Sequence, residues 1–474
     1  MMNRLKLSVA ALGLSAALAT GVSLPAMAQS IPMPAVGKPK AISVPAADTY
    51  QLANGITVTL IPYATVPKAS IYVAVPVGNN DDGEHVWISD MTSSLMREGA
   101  GNLSGAQISE AFADMGGGLG TGVSRDVSSF QTSVLTERVP DAIATLATII
   151  RQPTFPEGPL ERVRQGMIRN VAVGKSQASG QLSEAFFATV YEGHPYEDVY
   201  PTPEQLQSYT IDQLKAFYAE HFGPRGVRVY VAGQYDPAAV KQAIENAFGD
   251  WQGNNQPAEV AAPPRIARRV VLVNRPGAVQ STLRLAFDVP TLSSPDAIKY
   301  ELMDSLLGGA FNSRITRNIR EDKGYAYSPG SSIDNVDRNT SHWVYDADVT
   351  AANTGDSLRE IFSEIRKFQS EAPTAAEAEG SQNYNAGLYV LGLATPSGVL
   401  NKTVWVDQWG LPRDYIERYV PEVMSVSATD MQRAAQGLDF NKMTLVVVGD
   451  LETVRPQLEA LPELQGVTFE VFQP

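Results

Sequence analysis

Residues 227–233 read VRVYVAG, and residues 443–449 read MTLVVVG. Both stretches are rich in β-branched residues and end at a glycine, which predicts a buried strand that closes in a turn. They lie a little over two hundred positions apart, each towards the end of one half of the chain. This repetition indicates that one structural unit occurs twice.

Other local signals recur at about the same spacing. Polar residues three positions apart are typical of reciprocal caps at helix starts, and prolines precede predicted strands. The capping pairs are Thr210 with Gln213 and Ser427 with Asp430, and the prolines are Pro67 and Pro276. In each half the order is strand, strand, helix, strand, strand, several helices, strand, helix. We therefore predict an α+β fold of two homologous sandwich domains, made by duplication, with helices packed on one side of each sheet.

A Pro- and Ala-rich stretch near the middle of the chain, GNNQPAEVAAPPR at 253–265, separates the halves. Such a run with little periodicity is typical of a connector. We assign residues 49–252 to an N-terminal domain, 253–266 to a linker and 267–474 to a C-terminal domain. Residues 29–48, rich in Pro, Ala and Lys, are expected to form an extended lead-in.

The first 28 residues are typical of an export signal. Arg4 and Lys6 form a basic start, residues 7–24 are apolar, and Ala-Met-Ala at 26–28 fits the signal peptidase pattern. Gln29, where a lipoprotein has cysteine, disfavours a lipid anchor. Polar and glycine residues within 7–24 disfavour the alternative of an uncleaved membrane anchor. We expect cleavage after Ala28, a periplasmic location and no stable membrane insertion afterwards.

The composition excludes several classes of function. The 474 residues include 37 Lys and Arg against 51 Asp and Glu, a net charge of −14. Affinity for a phosphate backbone comes from clustered basic residues, so we expect no nucleic-acid partner. The chain has no cysteine, which rules out disulfides, thiolate catalysis and cysteine-based zinc sites.

The remaining candidates for metal chemistry are four histidines, His85, His194, His221 and His342. None belongs to an HExxH or HxxEH motif, and no nucleophile elbow, phosphate loop or dinucleotide fingerprint occurs in the required setting. We interpret His85 as part of a solvated loop and His194 as a turn residue whose imidazole binds local backbone groups. The glycine cluster GGGLGTG at 116–122 is interpreted as a close approach between strands.

One segment of the second half is more specific. It reads LLGGAFNSRITRNIREDKGYAYS from 306 to 328. Phe311, Ile315 and Ile319 predict an apolar stripe on a helix that Gly324 ends.

Two polar groups of this segment could share one site. Tyr325 and Tyr327 are predicted to point to the same side of a strand that follows the helix. Arg320 lies in the last helical turn, seven residues before Tyr327. Taken alone, a solvated arginine and a packed core tyrosine are the default interpretations.

With these residues the chain resembles the pitrilysin (insulinase) family of zinc metallopeptidases, especially its bacterial and mitochondrial processing peptidase branch. The pair Arg320 and Tyr327 is similar to the family's Arg/Tyr motif. The resemblance extends to YQLANGI at 50–56, to GHPY at 193–196 and to both strand–glycine stretches. Since the family builds a clamshell from repeats of this size, it implies that the two domains form half of a clamshell.

The family's zinc motif is absent. Catalytic members carry HxxEH on the first helix, and by register this motif falls on the sequence DMTSS. Asp90 and Ser94 replace the two ligand histidines, and Ser93 replaces the glutamate that activates water. The third ligand, a glutamate on a later helix, falls near Asn170, and its supporting glutamate falls near Val163.

A catalytic zinc ion needs three protein ligands and an open position, and one weak oxygen ligand remains here. We expect this chain to bind no cofactor, with zinc in a partner subunit. In the two-subunit branch, one chain provides HxxEH and the other provides the Arg/Tyr pair. The resemblance thus implies that Arg320 and Tyr327 bind substrate and stabilise its oxyanion, as a fixed cation and an aimed phenol can.

The sequence favours the non-catalytic subunit of a periplasmic heterodimeric zinc metallopeptidase. Its partners would be a homologous HxxEH-bearing subunit and an unstructured peptide, added as a strand at a sheet edge. The net charge weakly favours basic peptides. The alternative is a binding or scaffold protein of the same fold without a proteolytic role, like the respiratory-complex core subunits of this family. A scaffold has no reason to retain Arg320 and Tyr327, and an autonomous hydrolase has no motif to support it.

Overall fold

The computed structural model describes residues 37, 42–63, 66–253, 255 and 263–473. The predicted export signal (1–28), most of the predicted lead-in (29–48) and most of the predicted linker (253–266) lie outside the described residues.

The first half contains eight strands and eight helices within the described ranges. The strands are β1 (Asp48–Gln51), β2 (Thr57–Pro62), β3 (Lys68–Val75), β4 (Gly99–Ala100), β5 (Leu103–Ser104), β6 (Gly120–Val123), β7 (Ser128–Leu135) and β8 (Arg228–Gly233). The helices are α1 (Ile88–Met96), α2 (Gly105–Asp114), α3 (Val139–Arg151), α4 (Glu157–Ser176), α5 (Ala178–Val190), α6 (Pro203–Ser208), α7 (Ile211–His221) and α8 (Pro237–Phe248).

The second half repeats this order. Its strands are β9 (Arg269–Asn274), β10 (Gln280–Val289), β11 (Gly330–Asp337), β12 (Thr340–Thr350), β13 (Met443–Gly449) and β14 (Phe469–Phe472). Its helices are α9 (Ala297–Asp304), α10 (Arg314–Thr316), α11 (Thr354–Ser370), α12 (Ala375–Gly392), α13 (Pro396–Gln408), α14 (Tyr415–Ser425), α15 (Ala428–Gln436) and α16 (Leu451–Glu459). π-Helical turns at Ser305–Gly309 and Arg317–Asp322 continue α9 and α10.

The two six-stranded sheets have the same topology. Their strand orders are β1-β2-β8-β3-β7-β6 and β14-β9-β13-β10-β12-β11. Each has a parallel pair (β2 with β8, β9 with β13) in the same position, followed by antiparallel pairs. The sheets differ at one edge, where β1 is antiparallel to β2 and β14 is parallel to β9. The prediction of two homologous α+β domains is confirmed.

The repeated strand–glycine stretches are β8 and β13, the central strands of the two sheets. Every residue of β13 is buried, as is β8 from Val229 onward, which explains why both read as continuous apolar runs. The predicted helix caps form as well. The Gln213 amide donates to Thr210 Oγ1 (3.3 Å) and the Asp430 amide to Ser427 Oγ (3.1 Å).

Each half contributes a helix to the sheet of the other half. Leu182 and Phe186 of α5, from the first half, pack in one buried cluster with Val446 and Val448 of β13. In the reciprocal arrangement, α13 packs on β8 and β3, and the Tyr230 hydroxyl donates to Asp407 Oδ2 (2.9 Å). The exchange buries apolar faces that neither half covers alone.

Two further predictions from the sequence concern the glycine cluster at 116–122 and the turn at His194. A Cβ on Gly117 would lie 2.3 Å from the Ser133 carbonyl oxygen, so this position has room only for glycine. The Tyr196 amide donates to His194 Nδ1 (3.2 Å), as expected of a turn histidine. Both interpretations are confirmed. Across the described ranges, no helix combines the length and the apolar character needed to cross a bilayer.

Candidate functional site

The positions of the degenerate zinc motif meet at one cavity of about 720 Å³ between α1 and α4, which we call the α1–α4 cleft. Asp90 and Ser94 lie four residues apart and therefore share one face of α1. Val163 and Asn170, seven residues apart on α4, line the same cleft. The structure thus brings together four of the five positions assigned by register.

Asp90 is already engaged within the protein. Asn79 Nδ2 donates to Asp90 Oδ2 (2.7 Å) and also lies 3.1 Å from Asp82 Oδ2. Burial raises the pKa of Asp90 to about 6 despite that hydrogen bond. An amide donor therefore already engages one of the two carboxylate oxygens of Asp90.

Ser93 does not face the cleft. It is buried, and its Oγ lies 3.4 Å from Ser128 Oγ, which donates to the Val77 carbonyl (2.8 Å). The position of the family's water-activating glutamate is here part of the contact between α1 and β7. A serine in that place provides no general base near neutral pH.

The residues of the α1–α4 cleft do not fit a zinc ion. Ser94 and Asn170 offer neutral oxygens in place of imidazole and carboxylate. Three arginines, Arg97, Arg162 and Arg169, line the same space and disfavour a dication. Among the residues described, no group of three or more His, Asp or Glu side chains is arranged to hold a metal.

These arginines are residues that sequence reasoning missed. Arg162 and Arg169 lie seven positions apart on α4, on the face that carries Asn170. That spacing is visible in the sequence and could have identified them. Arg97, which follows the last residue of α1, reaches the cleft only because the two helices pack together.

In the second half, Arg320 is held in place by its neighbours. Ile315 and Ile319 are fully buried and anchor its helix. The guanidinium carbon lies 3.8 Å from the Phe311 ring centroid, and Nη2 donates to Glu321 Oε1 (2.7 Å). The Arg320 side chain is 18% exposed, so a cation is fixed at the surface of the domain.

Phe311 corrects the predicted apolar stripe. It is 74% exposed, because the helical run stops at Gly309 and resumes at Arg314. Phe311 is therefore out of phase with Ile315 and Ile319. It provides the face on which Arg320 stacks and does not belong to the core.

Tyr327 is 88% exposed, which excludes the packed-core interpretation. The strand predicted to begin at Tyr325 begins at Gly330, because Pro329 has no amide to donate to a ladder. Tyr325 is half-buried, and its amide donates to the Ile319 carbonyl (2.9 Å). Arg320 and Tyr327 thus flank a short connecting segment, and no hydrogen bond or cation–π contact joins them in the described structure.

This fold and site define a metallopeptidase-like chain in which the described residues offer no cluster suited to a metal ion. Residues 58–203 match the family model described as insulinase (peptidase family M16), and residues 208–385 match the one described as peptidase M16 inactive domain. The two matches cover more than half of the chain, which therefore belongs to the insulinase family. The resemblance inferred from sequence is confirmed.

Similar proteins agree with this family. An uncharacterized zinc protease of Bacillus subtilis is 23% identical over 358 residues, covering 74% of this chain and 86% of that protein. An uncharacterized zinc protease of Mycobacterium bovis is 23% identical over 422 residues, covering 88% and 96%.

Solved structures show the same fold. The peptidase M16 inactive domain from Pseudomonas fluorescens has a TM-score of 0.76 at 20% identity, covering 85% of this chain and 98% of that one. A protease from Helicobacter pylori has a TM-score of 0.78 at 18% identity, covering 86% and 100%. A chain of complex III from Candida albicans has a TM-score of 0.71 at 12% identity, covering 87% and 99%.

Proposed function

We propose that this chain is the non-catalytic subunit of a periplasmic heterodimeric zinc metallopeptidase. The zinc ion would be held by a homologous partner subunit that carries HxxEH. The observation that carries the proposal is the contrast between the two halves of this family member. The first half has lost its metal ligands, whereas the second keeps an ordered Arg320 and an exposed Tyr327.

The geometry of the pair suits a role towards another molecule. Stacking on Phe311 and the bond to Glu321 order Arg320 before any ligand arrives, which lowers the entropic cost of binding. An almost fully exposed Tyr327 contributes little to the packing of its own chain. A fixed cation and a phenol donor can together stabilise a carbonyl oxygen that becomes anionic during attack.

The sheet edges offer a place for an extended peptide. Among the described strands, β6 pairs only with β7 and is the outer strand of the first sheet. It packs beside α1, and Arg97 Nη1 donates to Thr121 Oγ1 of β6 (3.4 Å). A peptide added to β6 would therefore run past the α1–α4 cleft, bound through main-chain hydrogen bonds that tolerate many sequences.

The proposal is tested in a reconstituted pair of this chain with an HxxEH-bearing homologue from the same organism. We expect Arg320→Ala or Tyr327→Phe to lower the turnover of an unstructured peptide by about a hundred- to a thousandfold, the usual effect of removing one oxyanion donor. Arg317→Ala, on the same helical turn, is the matched control and should leave turnover unchanged.

Complex formation must be measured alongside. If either variant cleaves as fast as the wild-type pair while the pair still assembles, these residues are not part of the active site. If Arg317→Ala is as damaging as Arg320→Ala, the effect comes from the helix and the assignment to Arg320 is wrong.

The scaffold alternative is favoured by one observation, the shared fold with a complex III chain. A scaffold would remain bound in an assembly without affecting peptide cleavage. In that case Tyr327→Phe would change neither assembly nor cleavage, whereas the peptidase proposal requires a loss of turnover.

A further inference from the structure

We propose that the α1–α4 cleft binds carboxylate groups of an extended peptide, at the position where catalytic relatives bind zinc. The proposal rests on the proposed function for one point, that the ligand is a peptide. The carboxylate can come from acidic side chains or from the C-terminus of the peptide, and the chemistry of recognition is the same.

The first observation is the charge within the cleft. Arg97, Arg162 and Arg169 line it together with two acids, Asp90 and Glu98. Arg162 is paired with Glu98 (2.6 Å) and remains 65% exposed. Within the part of the chain that the structure describes, no carboxylate lies within ion-pairing distance of Arg97 or Arg169.

The second observation is the set of hydrogen-bond donors. A guanidinium presents two parallel N–H donors that match the two oxygens of a carboxylate. The Asn170 amide and the Ser94 hydroxyl line the same cavity and add neutral donors. Asp90, the acid within the sequence DMTSS, accepts from Asn79 (2.7 Å) and so competes less for these donors.

The third observation is the position of the cleft relative to the sheet edge. Arg97 donates to Thr121 of β6, so the edge strand and the cleft are neighbours. A peptide paired with β6 points alternate side chains to one face, which brings them past Arg97. The cavity of about 720 Å³ has room for acidic side chains there.

The arginines give the α1–α4 cleft a positive character, opposite in sign to the net charge of the chain. The net charge of −14 on its own favours basic peptides weakly. At the separation of a hydrogen bond, however, an arginine dominates over distant surface acids, which salt screens beyond about 10 Å. The cleft therefore selects acidic peptides in spite of the acidic chain.

The test uses the purified protein alone and three ten-residue peptides that differ only in charge. The first has glutamates at alternate positions and an amidated C-terminus, the second has glutamines there and the same amide, and the third is the glutamine peptide with a free carboxylate. We expect the first or the third to bind at least about tenfold more tightly than the second, by isothermal titration calorimetry at about 0.1 M salt, where the distant surface acids are screened. Which of the two binds identifies the source of the carboxylate.

Variants then locate the site. Arg97→Gln and Arg169→Gln should each weaken the preferred peptide about tenfold. Arg359→Gln, which removes an exposed arginine of α11 paired with Asp356, is the matched control and should leave binding unchanged. Circular dichroism melting shows that each variant is folded.

The proposal is overturned if the three peptides bind equally, if none binds, or if Arg359→Gln weakens binding as much as the cleft variants. Because no partner subunit is present, these outcomes are independent of the Arg320 and Tyr327 assay. The proposal for the cleft can therefore be wrong while the proposal for the subunit role is right, and the reverse.

Discussion

Asp90, the residue that the register assigns to a ligand histidine, lies in surroundings that fit an aspartate. Asn79 donates to it, and the backbone amides of Trp87 and Ser89 donate to the neighbouring Asp82. Buried polar groups are stable when their hydrogen bonds are satisfied in this way. The hydrogen-bond network around α1 therefore suits a carboxylate at position 90.

Asp304 leads to a prediction about pH and stability. It is buried, and its Oδ1 accepts from Trp343 Nε1 (2.7 Å) and Ser331 Oγ (2.5 Å). Burial, with smaller contributions from Glu301 and Asp334, raises its pKa to about 6. Since an unfolded aspartate has a pKa of about 4, the folded protein binds more protons between these values. Its contribution to the free energy of unfolding is present below pH 4 and is lost as pH rises through 6.

Asp304→Asn keeps an acceptor oxygen at the same position but removes the titration. We expect the free energies of unfolding of variant and wild type to diverge between pH 4 and 7, with the variant gaining about 3 kcal/mol relative to wild type. Urea unfolding at several pH values measures this difference. A difference between variant and wild type that is constant with pH would show that Asp304 titrates normally.

At the scale of elements, α1 and α4 line one cleft. The assignment of the zinc-ligand positions on these two helices can therefore be tested. The triple variant Asp90→His, Ser94→His and Asn170→Glu places two imidazoles and one carboxylate on the walls of one cleft, the ligand set that zinc requires. We expect it to retain about one zinc ion per chain after dialysis, as measured by elemental analysis, whereas wild type retains none.

The double variant Asp90→His with Ser94→His is the matched control. With two ligands, it should bind zinc far more weakly than the triple variant. Equal zinc content in the double and triple variants would mean that position 170 does not face the other two.

The close approach at the start of β6 gives a second element-scale prediction. A methyl group on Gly117 would clash with the Ser133 carbonyl, whereas nothing lies within 4 Å of a Cβ on Gly118. We expect Gly117→Ala to destabilise the protein by about 1–3 kcal/mol and Gly118→Ala to leave stability nearly unchanged. Equal melting temperatures for the two variants would contradict the tight contact.

Elements formed by interactions between residues close in sequence could be predicted, whereas those that depend on distant residues could not. The caps at Thr210 and Ser427 depend on residues three positions away, and the sequence alone was sufficient to predict them. Phe311 was misassigned because a spacing of four residues implied one continuous helix. The break between Gly309 and Arg314 follows from the sequence GAFNS, in which glycine, asparagine and serine all favour turns.

At the scale of the whole molecule, the duplication was predictable and the connection between the halves was not. Repeated strands and caps identified the two units, because each signal is local. The exchange of α5 and α13 between the sheets depends on which apolar face meets which sheet. The exchange of helices and the approach of Arg97 to the cleft are tertiary features, whereas the spacing of Arg162 and Arg169 on α4 is visible in the sequence.

The two sets of site residues assigned from the sequence lie in different halves of the chain. The metal positions belong to the first half, and the Arg/Tyr pair belongs to the second. Replacement of residues in α1 and α4 therefore leaves the segment that carries Arg320 and Tyr327 unaffected. In the role that we propose, such a chain complements a partner subunit that retains HxxEH.

The most direct measurement is cleavage of an unstructured peptide by this protein alone, by an HxxEH-bearing homologue alone and by their mixture, with zinc quantified in each. We predict activity in the mixture far above that of either component, with zinc stoichiometric in the homologue and absent from this chain. Equal activity of the homologue with and without this chain, or zinc-dependent cleavage by this chain alone, would contradict the account.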